Sequence, residues 1–232
     1  MSSTTHRPAC LSEEAAQHWA LVVKRGGATR LPAAPGHHVR QDPDPTPGAG
    51  RRRHEEPWPD GLYRELRGLA GRLGVDPEAV VLAAHAHVLT SLTGESTVLV
   101  GLPDPQGHLW PMRIDTGARS WAGLVRTAHR VLTACRRGLP DTPGPSAPRV
   151  GAAVLADVAA RAGRPVPVVE TAVGVLADPD RSDGVLTVVA TARGLVLWHR
   201  TDRVDPTYAA ELAGRHLHAL CRLVAGPDDP PA

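Results

Sequence analysis

The side chains best suited to acid–base or ligand chemistry in this sequence are its histidines. His37-His38-Val39-Arg40-Gln41-Asp42-Pro43 gathers two imidazoles and a carboxylate into one short run. A histidine acts as a general base only when a rigid element holds it within hydrogen-bond reach of the nucleophile. This run follows Leu31-Pro32-Ala33-Ala34-Pro35-Gly36 and precedes further prolines, so it reads as a solvated loop. His85 and His87 are two apart on a predicted helix and point about 200° apart, which prevents them from sharing a metal. His216 and His218 have the same geometry. There is no His-x-x-x-His or His-Cys cluster, so no zinc site is expected, and His85 reads as a packed or interface residue. The sequence has no Gly-x-x-x-x-Gly-Lys loop, no Gly-x-Gly-x-x-Gly fingerprint and no serine nucleophile elbow. Nucleotide binding and serine hydrolase chemistry therefore lack support. No catalytic, cofactor-binding or metal-ligating residue is assigned, and no cofactor is expected.

The elements that would position any such residue can be read from caps and periodicity. Ser12 caps a first helix through Lys24, stopped by Gly26 and Gly27. From Pro32 to Pro59 seven prolines and the basic run Arg51-Arg52-Arg53 predict a mobile or extended surface segment. Leu62, Leu66, Leu69 and Leu73 recur at helical spacing up to Gly74. Asp76 caps the next helix, with Pro77 at its first position, and its apolar content from Ala79 to Leu92 predicts burial on more than one side. Thr97–Val100 and Leu109–Ile114 read as strands, and Ser120–Arg137 as a helix. Strand-like runs follow at Val150–Leu155, Val166–Leu176, Leu186–Thr191 and Leu195–His199. Asp205 and Pro206 open a closing helix to Val224. Helices packed on a mixed sheet, an α/β sandwich, are the expected architecture.

Composition narrows the function classes. A formal charge of +2 leaves no basic field for a nucleic acid. Lys24 is the only lysine among 26 basic residues, which reads as codon bias in a GC-rich bacterial genome. Cys10, Cys135 and Cys221 are odd in number and widely spaced, which fits free thiols in a reducing cytoplasm. No apolar run approaches membrane-spanning length. A soluble cytoplasmic protein is expected.

Three stretches resemble the condensation domains of nonribosomal peptide synthetases. The first runs from Leu66-Arg67-Gly68-Leu69-Ala70-Gly71-Arg72-Leu73-Gly74-Val75 through Val80-Val81-Leu82-Ala83-Ala84 and Leu92-Thr93-Gly94 to Val98-Leu99-Val100-Gly101-Leu102-Pro103. The second, Leu195-Val196-Leu197-Trp198-His199-Arg200-Thr201-Asp202-Arg203-Val204-Asp205, is similar to the family's terminal strand. The third is the closing helix with Leu212-Ala213-Gly214-Arg215-His216, followed by Pro227-Asp228. Ala16 to Leu31 is similar to the helix and Leu-Pro segment that join the family's two lobes. The resemblance implies the second of two lobes, each like a chloramphenicol acetyltransferase subunit, with the active centre in a tunnel between them. The family's catalytic His-His-x-x-x-Asp-Gly motif belongs to the first lobe, which is absent here. His37–Pro43 matches it except for Pro43 in place of Gly, yet by chain order it falls in the connecting segment. Two further motifs are eroded, to Leu109-Trp110-Pro111-Met112-Arg113-Ile114-Asp115 and to Arg136-Arg137-Gly138-Leu139-Pro140-Asp141.

The resemblance implies a single acetyltransferase-like lobe over residues 60–226, preceded by a helix and Pro-rich connection over 1–59 and followed by a tail at 227–232. It implies a truncated, non-catalytic protein of nonribosomal peptide or hybrid polyketide biosynthesis. Such a protein would bind a carrier protein, an adenylating enzyme or a synthetase module. The alternative is one half of a split enzyme forming amide or ester bonds, with the other half supplied in trans; a degraded remnant is a third reading. Arg51-Arg52-Arg53 reads as a solvated loop, with steering of an acidic carrier protein as its alternative. A lobe that has lost its cover should expose an apolar face, and a homodimer could imitate the missing pairing. No nucleic acid or membrane partner is expected.

Overall fold

The computed structural model describes residues 13–33, 50–139, 150–175, 178, 180 and 182–231. The chain opens with α1 (Glu13–Arg25) and β1 (Ala28–Thr29), then β2 (Arg51–Pro57), α2 (Leu62–Leu73) and α3 (Pro77–Thr93). It continues through β3 (Thr97–Pro103), β4 (Leu109–Asp115), α4 (Trp121–Arg137), α5 (Val150–Ala162), β5 (Val168–Val169) and β6 (Thr171–Val173). It closes with β7 (Leu186–Ala190), β8 (Gly194–Arg200) and α6 (Pro206–Ala225). The main sheet has the order β2-β8-β7-β6-β3-β4, and β1 pairs with β5 in a separate ribbon. In the main sheet β3, β6 and β7 run parallel, while β4, β8 and β2 are antiparallel to their neighbours. This is the expected mixed sheet with packed helices.

α3 is the centre of the core. The Asp76 carboxylate accepts the Glu78 N–H at 2.9 Å, Pro77 occupies the first turn, and Gly94 ends the helix in the left-handed region. Every residue from Ala79 to Ala86 is buried, because α2, α4 and α6 flank the helix and the sheet lies beneath it. A helix surrounded in this way needs no polar face, which is why its sequence shows no amphipathic stripe.

Two elements differ from the sequence expectation. Val150–Leu155 is not a strand but the start of α5. Its alanines are strong helix formers, and Leu155, Val158 and Ala159 bury a helical face. Arg51–Pro57 is not a loose surface segment but an edge strand, with a seven-residue ladder to Gly194–Arg200. An edge strand tolerates charge on its open side, so the alternation that marks a half-buried strand is missing. Any Cβ at Gly194 would run into the Glu56 carbonyl, so glycine allows that close approach.

The N-terminal residues belong to the same core. Trp19 is fully buried, stacks at 4.7 Å on Trp110 of β4, and donates its indole N–H to the Gly138 carbonyl at 2.8 Å. Glycine at 138 suits this approach, since a Cβ would sit a tight 3.0 Å from that indole nitrogen. Tyr208 of α6 donates its hydroxyl to the Pro32 carbonyl at 3.0 Å, tying down the chain after β1.

Candidate functional site

His37 to Pro43 lies outside the described residues. Of the remaining histidines, the sheet and helices bring together two that are 131 positions apart. His85 on α3 and His216 on α6 are both fully buried, with Nδ1 of His85 2.8 Å from Nε2 of His216. Their rings stack at 5.2 Å and 15°.

The tautomers follow from the one partner with a fixed role. The Leu212 carbonyl can only accept, so His216 donates Nδ1–H to it at 2.6 Å. Nε2 of His216 is then bare and accepts from Nδ1–H of His85. Nε2 of His85 in turn accepts the Thr171 hydroxyl at 2.9 Å. The chain of bonds from β6 through α3 to α6 is thus complete with both rings neutral. Burial lowers the His216 pKa to about 4. Burial, then the neighbouring His216, hold His85 well below the ordinary histidine value. The lone pairs of both rings are already used, so the pair acts as a buried tie between elements. His199 on β8 is also committed, its Nδ1–H donating to the Val204 carbonyl at 2.8 Å. The α3–α6 pairing escapes sequence reading, because neither histidine's helix shows which helix it will face.

Arg51-Arg52-Arg53 is not the free basic loop expected of it. Arg51 reaches inward to the Ser182 carbonyl at 2.8 Å and to the Gly184 carbonyl. Arg53 pairs with Glu55 at 2.6 Å, and Arg52 and Arg53 both remain exposed. Arg136, in the second eroded motif, is also structural. It binds Asp76 at 2.6 Å and also Glu78, clamping the end of α4 to the start of α3. Burial opposes ionisation of Asp76, but the Glu78 backbone N–H and Arg136 outweigh it and lower its pKa. For Glu78 burial wins, and its pKa is raised.

Two hollows could hold a ligand or partner. One, of about 260 Å³, lies where β6 and β7 end beside the start of α3, walled by Trp58, Tyr63, Val81 and Val189. It falls just under the usual size of a small-molecule pocket. The other is a groove between α1 and α4, lined by arginine and histidine. Among the described residues, no three His, Cys, Asp or Glu side chains lie together as a metal site would require. No described helix is long and apolar enough to cross a membrane.

The same arrangement of helices and sheet occurs in solved structures. The condensation domain of the Monacolin K polyketide synthase MokA matches over 94% of this chain and 59% of its own, with a TM-score of 0.62 and 13% identity. The X-domain of teicoplanin biosynthesis, solved in complex with OxyB, matches over 94% and 55%, with a TM-score of 0.67 and 17% identity. The fold is condensation-domain-like. The first condensation domain of the calcium-dependent antibiotic synthetase matches over 95% of the condensation-like chain and 53% of its own, with a TM-score of 0.60 and 18% identity. The chain thus spans between half and three fifths of these neighbours. No protein-family model and no curated protein matches the sequence.

The described surface lacks the broad apolar face expected of an uncovered lobe. Its exposed large apolar side chains are Leu21, Val166, Val168 and Val175, spread over α1, the approach to β5 and the end of β6. The eroded segment at β4 is itself mostly buried, with Trp110, Met112 and Ile114 turned into the core.

Proposed function

We propose that this chain acts by binding, as a non-catalytic, truncated condensation-like lobe in nonribosomal peptide or hybrid polyketide assembly. Its partner is a carrier protein, an adenylating enzyme or another synthetase module in the cytoplasm. The observation that carries this reading is a condensation-like fold in which the buried histidines His85, His199 and His216 are tied into fixed hydrogen bonds. The order of the three motif-bearing stretches supports assignment to the second lobe. Engagement of His85, His199 and His216 in fixed hydrogen bonds supports a structural rather than proton-transfer role for them. The X-domain neighbour solved in complex with OxyB is a precedent for a lobe of this fold that meets a separate protein. The test is calorimetry between the purified chain and each carrier, adenylating and synthetase component encoded beside it. Saturable binding to one of them is expected, and silence from all of them would end the proposal.

The condensation-like fold also fits a second reading, in which a separate polypeptide supplies the other half of an amide- or ester-forming enzyme. That reading requires a neighbouring gene for a half-domain with His-His-x-x-x-Asp-Gly, and product formation when the halves are mixed.

A further inference from the structure

The groove between α1 and α4 combines an apolar floor with basic rims. Two hollows of about 320 and 250 Å³ meet along it, with His18, Arg130 and Ala134 lining both. Arg137 stands at one end, Arg130 in the middle and Arg25 at the other end, and Leu21, Val131 and Ala134 contribute apolar surface. Among the described residues, no carboxylate lines either hollow and none pairs with these three arginines. Arg130 is bonded only to the Thr127 hydroxyl, at 3.1 Å, and all three guanidinium groups are solvent-exposed. Leu21, 57% exposed, is a large apolar side chain left uncovered on α1 beside this charge. Some arginines elsewhere are engaged by carboxylates: Arg136 by Asp76 and Glu78, Arg161 by Asp157, Arg215 by Glu211.

We propose that this groove is a docking site for an acidic amphipathic helix of a partner protein. The lining runs from Ala15 to Arg25, eleven residues of helix spanning about 15 Å, close to three turns of a helix laid alongside. A helix seats in a groove through an apolar stripe at i, i+3, i+4 and i+7. Here that stripe meets Leu21, Val131 and Ala134, while flanking carboxylates meet Arg25, Arg130 and Arg137. Opposed charge of this kind steers the encounter and sets the register. This docking surface deepens the binding role proposed above and relies on it for the origin of the partner.

The test uses the full chain and a synthetic helix of about four turns, with leucines at the stripe positions and glutamates elsewhere, read by fluorescence anisotropy. Binding is expected to weaken by about tenfold or more in the Arg25→Glu, Arg130→Glu, Arg137→Glu variant, whose sites are exposed and whose melting curve should match the parent's. The same helix with lysine in place of glutamate should show the reverse preference. Equal binding of both helices by the parent chain, or no loss on charge reversal, would overturn the assignment. So would retention on phosphatidylglycerol vesicles that the acidic helix cannot compete away. A synthetase component that binds the parent and the reversed variant alike would also sink the groove, while leaving the binding role intact. If the acidic helix binds as expected and no component binds, the groove stands and the biosynthetic role falls.

Discussion

At the scale of single residues, the buried imidazole pair makes the sharpest commitments. Both His85 and His216 have pKa values lowered in the folded state, so between their folded and unfolded values the unfolded chain holds more protons. Stability is therefore full above about pH 6.5 and falls as the pH drops toward 4, where His216 itself protonates. His216 alone contributes roughly 3 kcal/mol over that interval. Urea unfolding at pH 7.5 and pH 5 should show the loss, and equal midpoints would refute the neutral pair. Replacing all members of the chain by apolar residues, in His85→Leu, His216→Leu, Thr171→Val, should keep stability near the parent's at pH 7.5 and flatten the pH dependence. His216→Leu alone should cost about 1–3 kcal/mol, because it leaves the Nδ1–H of His85 without its acceptor. The presence of these histidines is plain from sequence. Their pairing is not, since it joins α3 to α6 across 131 positions.

At the scale of elements, most boundaries follow from local chemistry. Asp76, Ser120 and Asp205 cap their helices as their positions in the sequence suggest, and Gly74 and Gly94 end theirs in left-handed conformation. Asp76→Ala should cost about 1–2 kcal/mol in chemical denaturation, since it removes both the cap and one arm of the Arg136 clamp. A smaller loss from Arg136→Ala would show that the cap outweighs the exposed ion pair. Gly194→Val should disrupt the β2–β8 ladder, read as faster hydrogen exchange in Arg51–Pro57, because its side chain meets the Glu56 backbone. Failures of sequence reading at this scale have two causes. Val150–Leu155 carries valine and leucine in a pattern short enough to fit either period, and its alanines tip it to helix. Arg51–Pro57 is a strand by virtue of β8 beside it, not by its own composition.

At the scale of the whole molecule, charge rather than apolar area marks the surface for contact. A stable homodimer needs a substantial complementary face, whereas the four exposed large apolar side chains among the described residues are scattered. Light scattering is expected to give a monomer at micromolar concentration, and a dimer there would show that another face carries the association. Trp19→Ala should cost about 3–5 kcal/mol, because the indole joins α1 to β4 and to the end of α4. That loss should weaken partner binding as well, since α1 forms one wall of the basic groove.

The sequence by itself determined most of the elements apart from β2 and α5, several caps and stops, the buried character of α3 and the likeness to one lobe of a condensation domain. These depend on contacts between near neighbours in the chain, where residue type and spacing are sufficient. Tertiary structure alone decided which elements meet: β8 beside β2, His216 against His85, and α1 beside α4 with Arg25 and Arg130 on facing rims. The sheet order β2-β8-β7-β6-β3-β4 interleaves distant parts of the chain. Such pairings are selected by burial of the whole core at once, a quantity that no single window of residues contains.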